Sequence, residues 1–216
     1  MKEYKKSFSD FLFNNKAIMF GDFVTKSGRQ TPYFINTGCF DSGEKLSLLG
    51  EFYALHILSL NLKPTVIFGP AYKGIPLCVS TSQALYKMGF NTFFSFNRKE
   101  VKDHGDLGLI VGHKIDKQDR IVIVEDVITA GITLKETVSL LRSFGDVNIE
   151  GIVIAVDRCE KGEKENSALL EVEKLLNVKI FPIVTIKEIL DHLSSKISPQ
   201  DMTRVKEYLK NFGTNG

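Results

Sequence analysis

Ile121-Val122-Ile123-Val124-Glu125-Asp126-Val127-Ile128-Thr129-Ala130-Gly131-Ile132-Thr133 is the stretch on which the fold of this chain turns. Four β-branched residues run into two adjacent carboxylates, and a short Thr-Ala-Gly-Ile-Thr loop leads into a helical pattern. An apolar run without alternation describes a strand covered on both faces, as in a parallel sheet. The carboxylates then stand at the carboxyl end of the strand, the edge where open α/β sheets bind ligands. The loop offers backbone N–H groups, small side chains and hydroxyls at a helix N-terminus, which suits a phosphate. A phosphate cradle beside two carboxylates that can accept hydroxyls fits a phosphorylated sugar. Taken alone, the pattern also describes a structural strand–turn–helix with a solvated acidic pair. Neither G-x-G-x-x-G nor G-x-x-x-x-G-K-[ST] occurs in the chain, which sets this loop apart from the commoner nucleotide loops.

Strand and helix patterns alternate outward from this stretch. Tyr4 to Asn15 reads as a helix with Phe8, Phe11 and Leu12 on one face, and 17–24 and 31–36 as short strands around the polar turn Lys26-Ser27-Gly28-Arg29. From Gly43 a helix carries Leu46, Leu49, Tyr53, Ile57 and Leu60 at spacings of three and four. Thr65 to Phe68 reads as a buried strand, and a helix is expected to start near Pro76. Further strands are expected at Asn91–Phe96, Arg120–Val124, Gly151–Val156 and near 178–185. The helix Thr133–Phe144 shows Leu134, Val138 and Leu141 on one face, and more helices follow to the end. This alternation predicts an α/β fold, a mostly parallel twisted sheet flanked by helices, in one domain spanning 1–216.

Composition narrows the class. The chain has 216 residues, 43% hydrophobic and 25% charged, with net charge +2, too little to suggest nucleic acid as a partner. Cys39, Cys78 and Cys159 show no metal-ligand spacing and no disulfide framework, which points to a reducing cytoplasm. The first residues lack the apolar region of a signal peptide, and no run approaches membrane length, so no membrane partner is expected.

One segment breaks the rhythm. From Asn97 to Asp119 no clear period appears, although Leu109 to Val111 could form a short strand. Arg98, Lys99, Lys102 and His104 fall within seven residues, and Gly105, Gly108 and Gly112 could act as hinges. Alone, this is a solvated charge run; beside a sugar-phosphate site it suggests a cationic lid over about 98–112.

The segments FGDFVTKSGRQTPYFIN, FGPAYKGIP, FNRKEVKDHGD, VEDVITAG and DRCEKG follow one another in this order. Together they resemble the orotate phosphoribosyltransferase family, type I phosphoribosyltransferases that use phosphoribosyl pyrophosphate (PRPP). The resemblance runs from residue 4 to about residue 190. It implies transfer of the phosphoribosyl group from PRPP to orotate, giving orotidine 5′-monophosphate and diphosphate in pyrimidine biosynthesis. Carried over by residue, Glu125 and Asp126 would hold the ribose hydroxyls, and Val127, Ile128, Thr129, Ala130, Gly131, Ile132 and Thr133 would wrap the 5-phosphate. Tyr72 and Lys73 would bind the diphosphate, Lys26 would touch both substrates, and Arg98, Lys99, Lys102 and His104 would form the catalytic lid. Phe34, Ile35, Thr129 and Arg158 would recognise orotate. The catalytic set is then Lys26, Lys73, Arg98, Lys99, Lys102, His104 and Asp126.

The resemblance further implies Mg²⁺ held mainly by PRPP and water with no direct protein ligand, and a homodimer with shared active sites. It also implies a hood formed by about 1–40 and part of 158–190, and a cis peptide at Ala71–Tyr72. Arg158 offers a fork suited to the orotate carboxylate, although by itself it also reads as a surface ion pair with Asp157 or Glu160. Glu125 stands where Asp is common, Ile132 replaces a small or hydroxylated residue, and Ile35 replaces an aromatic. Two other readings stay open: a phosphoribosyltransferase for another base, and a regulator that senses PRPP. His56 and His192 read as structural or exposed, and His113 borders the lid without a separate role.

Overall fold

Helix α1 (Glu3–Asn14) leads into the strands β1 (Ile18–Val24) and β2 (Gln30–Ile35), then helix α2 (Gly43–Ser59). Next come β3 (Val66–Gly69), α3 (Gly74–Lys87), β4 (Phe93–Asn97), β5 (Ile110–Gly112) and β6 (Arg120–Val127). The chain continues through α4 (Ile132–Arg142), β7 (Asn148–Asp157), α5 (Ala168–Leu176), β8 (Ile180–Thr185), α6 (Ile186–His192) and α7 (Pro199–Phe212). The structure, a computed structural model, describes residues 1–25, 28–99, 108–128, 131–162 and 166–214. Lys26, Lys102, His104, Thr129 and Ala130 of the expected site lie outside the described residues.

The strands β3, β4, β6, β7 and β8 are parallel, and β5 adds an antiparallel edge, giving the order β5-β4-β3-β6-β7-β8. The pleat explains how one apolar run serves two cores. Val122 and Val124 of β6 pack with Phe8, Leu12, Tyr53 and Ile57 of α1 and α2. Ile121 and Ile123 pack on the other face with Leu134, Val138 and Leu141 of α4. Each face is covered, so alternation disappears from the sequence.

Two expected boundaries move, for local reasons. β6 runs three residues further than expected, because Glu125 and Val127 still pair with Ile154 and Val156 of β7. The two carboxylates therefore belong to the end of the strand itself. α3 begins at Gly74, two residues before Pro76. There the turn out of β3 is so tight that a Cβ on Gly69 would stand 1.9 Å from the Gly74 carbonyl oxygen. Only glycine fits at such an approach.

Outside the large sheet, β1 and β2 form an antiparallel pair, and α7 packs on β2. Ser198 caps α7 by accepting from the Asp201 N–H at 3.0 Å, with Pro199 in the first turn. Among the described residues no helix is long and apolar enough to cross a membrane.

His56, on the buried side of α2, makes a pH-dependent contribution to this packing. It is 4% exposed, and its Nδ1 lies 2.8 Å from the Tyr4 hydroxyl. Burial, aided by the charges of Lys5 and Lys2, pushes its pKa down to about 4. The unfolded chain, with an ordinary histidine near 6.5, therefore binds the proton more tightly. Stability from this group is complete above pH 6.5 and is lost as the pH falls towards 4, by about 3 kcal/mol in all. Urea unfolding at pH 7 and pH 4.5 should show His56→Gln losing less stability on acidification than the parent protein. Equal losses in both would show that His56 does not carry this dependence.

Candidate active site

The direction of chain progression reverses at the centre of the sheet. β3 is followed by β4 on one side, and β6 then lies against β3 on the other. Crevices at the carboxyl ends of such strands bind ligands, because the two loops diverge there. Here the loop after β3 (70–73) faces the end of β6.

The carboxylates at the end of β6 occupy different settings, because neighbouring side chains leave a strand on opposite faces. Asp126 Oδ2 accepts from Lys73 Nζ at 2.8 Å and from Thr37 Oγ1 at 2.6 Å, while Oδ1 accepts from the Val127 N–H at 2.7 Å. Burial alone would raise the Asp126 pKa, but the Lys73 ammonium and the Thr37 hydroxyl outweigh it and hold the carboxyl below its usual range. Glu125 Oε1 accepts from the Asp126 N–H at 3.0 Å, and its carbonyl oxygen accepts from the Tyr53 hydroxyl at 2.7 Å. Burial, together with the neighbouring Asp126 charge, pushes the Glu125 carboxyl up to about 8. Asp126 is therefore the fixed negative charge of the pair. Lys73 opposite it has a 60% exposed side chain, against 9% for Asp126, so the ammonium is the partner free to swing toward a ligand.

A cleft of about 310 Å³ opens beside this pair, lined by Thr37, Tyr53, Tyr72, Lys73, Leu77 and Asp126 among others. The loop after β3 forms its rim. The Ala71–Tyr72 peptide is cis, as the family resemblance implied, and the Ala71 N–H donates to Asn97 Oδ1 at 2.9 Å. Lys99 Nζ lies 4.9 Å from the centre of the Tyr72 ring, and the Arg98 N–H donates to the Leu109 carbonyl at 2.8 Å. The segment between β4 and β5 thus leaves and rejoins the sheet beside the cleft.

At the foot of α4, Gly131 takes a left-handed φ of 69°, and a Cβ there would meet Val172 Cγ2 at 2.8 Å. Ile132 and Thr133 are exposed in the first turn of α4, so neither departure nor hydroxyl is buried away from a ligand. On β2, Phe34 is exposed and stacks on Phe23 with ring centres 5.5 Å apart, whereas Ile35 belongs to the main core. A contact of Ile35 with a ligand would thus run through its backbone. Arg158 follows β7 and does pair with Glu160, at 2.6 Å. Glu160 is buried and Arg158 half-buried, which corrects the surface ion pair considered from sequence.

Sequence reasoning passed over Thr37 and Tyr53. Thr37 sits in an isolated 3-10 turn that carries no period. Tyr53 stands in the apolar stripe of α2, where its hydroxyl was hidden among core residues. A phenol in a fully buried stripe does carry a signal, since a buried hydroxyl takes a partner.

Paired carboxylates at the switch point of a parallel sheet, with an exposed lysine opposite and a cleft of about 310 Å³ beside them, fit a type I phosphoribosyltransferase. Residues 43–192 match the profile of the phosphoribosyl transferase domain. The chain is 46% identical to the orotate phosphoribosyltransferase of Clostridium beijerinckii over 223 aligned residues, covering 99% of each. It is 44% identical to that of Clostridium acetobutylicum over 222 residues, again covering 99% of each. The crystal structure of orotate phosphoribosyltransferase from Francisella tularensis superposes with a TM-score of 0.85 at 30% identity, over 96% of this chain and all of that one. This chain belongs to the orotate phosphoribosyltransferase family.

Proposed function

We infer that the protein transfers the phosphoribosyl group of PRPP to orotate, releasing diphosphate and forming orotidine 5′-monophosphate for pyrimidine biosynthesis. The observation that carries this reading is the Lys73–Asp126–Thr37 constellation at the switch point, in a chain alike over its whole length to relatives of that name. In the reaction the bond from the ribose anomeric carbon to diphosphate oxygen breaks, and a bond to a ring nitrogen of orotate forms. Positive charge gathers on the ribose ring and negative charge on the departing diphosphate.

The residues divide this work. Asp126 and Glu125 accept the ribose hydroxyls, Lys73 leaves Asp126 for the diphosphate, and Tyr72 offers backbone beside it. The turn 127–133, with Thr129 and Ala130, takes the 5-phosphate at the N-terminus of α4. Arg98, Lys99, Lys102 and His104 supply cations to the leaving group, and Lys26 touches both substrates. Phe34, Ile35, Thr129 and Arg158 receive the base.

Magnesium fits this arrangement as a passenger of the diphosphate. This ion keeps several of its waters and is carried largely by substrate phosphates rather than by a cage of protein ligands. When bound it would neutralise charge on the diphosphate. We also place the protein in the cytoplasm as a homodimer, a reading supported by its family and by three cysteines that are all free.

Diphosphate release from PRPP with Mg²⁺, measured in parallel with orotate, uracil, hypoxanthine and adenine, should occur with orotate alone. Turnover of a purine instead would replace the reading by another base. Arg158→Ala should raise KM for orotate by roughly thirtyfold, or about 2 kcal/mol, with KM for PRPP little changed, because a charge-assisted bidentate contact is lost. Equal changes for both substrates would remove Arg158 from the base site.

A further inference from the structure

Glu160 gathers five hydrogen bonds on a residue that is 8% exposed. Arg158 donates to its Oε1 from Nε at 3.0 Å and from Nη2 at 2.6 Å. The hydroxyls of Tyr33 and Tyr208 donate to the same oxygen at 2.8 and 3.1 Å. Arg29 Nη2 donates to Oε2 at 2.5 Å. The donors come from three separated places: the start of β2, the segment after β7, and α7. The Arg158 guanidinium also lies over the Tyr33 ring, 4.5 Å from its centre, and Arg29 lies 5.1 Å from the centre of the Phe212 ring.

This geometry holds the Arg158 guanidinium on one edge and one face. The Nε–Nη2 edge is spent on Glu160 and one face on Tyr33. The outer end, with Nη1, is the part of the fork left for a planar carboxylate. We propose that Glu160 is a positioning residue for base recognition, holding Arg158 so that the outer end of its guanidinium meets the carboxylate of the acceptor base. Tyr33 and Tyr208 hold Glu160 in turn, so the C-terminal helix α7 takes part in substrate choice. The proposal rests on the reading of Arg158 as the partner of orotate.

Two effects of Glu160 oppose each other. Its charge offsets one of two neighbouring guanidiniums, and by charge alone its removal would strengthen binding of an anion. Its geometry prevents the two arginines from repelling each other and turning away on their long stems. A half-buried arginine deprived of its carboxylate reorganises, and small misplacements of a binding group are costly. Orientation therefore outweighs net charge, and removing Glu160 weakens orotate binding.

Glu160→Gln keeps the shape and removes the charge. Steady-state kinetics on the dimer should show KM for orotate rising about tenfold, with KM for PRPP within about twofold of the parent value. In an Arg158→Ala background the same substitution should change KM for orotate by less than about twofold, because residues that act through one another are not additive. Glu160 is no positioning residue if KM for orotate falls, if both KM values rise together, or if the full effect persists without Arg158. An unchanged orotate KM in Arg158→Ala itself would instead defeat the underlying assignment of Arg158, and the proposal with it. Should Glu160→Gln fail to fold, Tyr208→Phe decides: a rise of about threefold in orotate KM alone supports the proposal, and no change overturns it.

Discussion

Asp126→Asn is expected to lower kcat/KM for PRPP by roughly a thousandfold, about 4 kcal/mol, if its carboxylate holds the ribose hydroxyls through charge-assisted bonds as proposed. The substitution keeps the size of the side chain and removes the charge that the Lys73 ammonium and the Thr37 hydroxyl sustain at ordinary pH. Steady-state kinetics would read the change, with thermal unfolding to confirm that the fold is kept. A loss below about tenfold would mean that Asp126 only pairs with Lys73 and does not hold the sugar. Glu125→Gln should be milder, because burial and the adjacent Asp126 already favour the neutral form of Glu125.

Mixing two nearly inactive variants, Lys102→Ala and Asp126→Ala, is expected to restore activity. If the cationic segment of one subunit serves the site of its partner, a mixed dimer holds one doubly damaged site and one site with both parts intact. Random pairing of two-fold related subunits at equal ratio makes half the dimers mixed, so recovery should reach about a quarter of the parent activity. The ends of that segment lie where such a reach begins, at β4 and the edge strand β5, with Lys99 beside Tyr72. Subunit exchange verified by mass spectrometry without recovered activity would confine the cations to their own chain.

Much of this molecule was legible before folding because its period is local. The run 121–124 announced a strand buried on both faces, and 46, 49, 53 and 57 announced a helix with one apolar stripe. The acidic pair at the strand end was legible for the same reason, since Glu125 and Asp126 directly follow the apolar run. The strand ends were not, because pairing with β7 carried β6 on through Val127 although its side chains had turned polar. Tertiary hydrogen bonding overrode the local pattern there.

The amino-acid sequence by itself determined the parallel α/β architecture, the order of its elements and the motifs at the strand ends, all properties of neighbouring residues. Only the tertiary structure decided which oxygen of Asp126 faces Lys73 and Thr37, residues 53 and 89 positions away. It also decided that Tyr208 and Arg29 converge on the carboxylate that grips Arg158. Such contacts have no sequence period, because they join side chains whose separation along the chain is set by the layers folded between them.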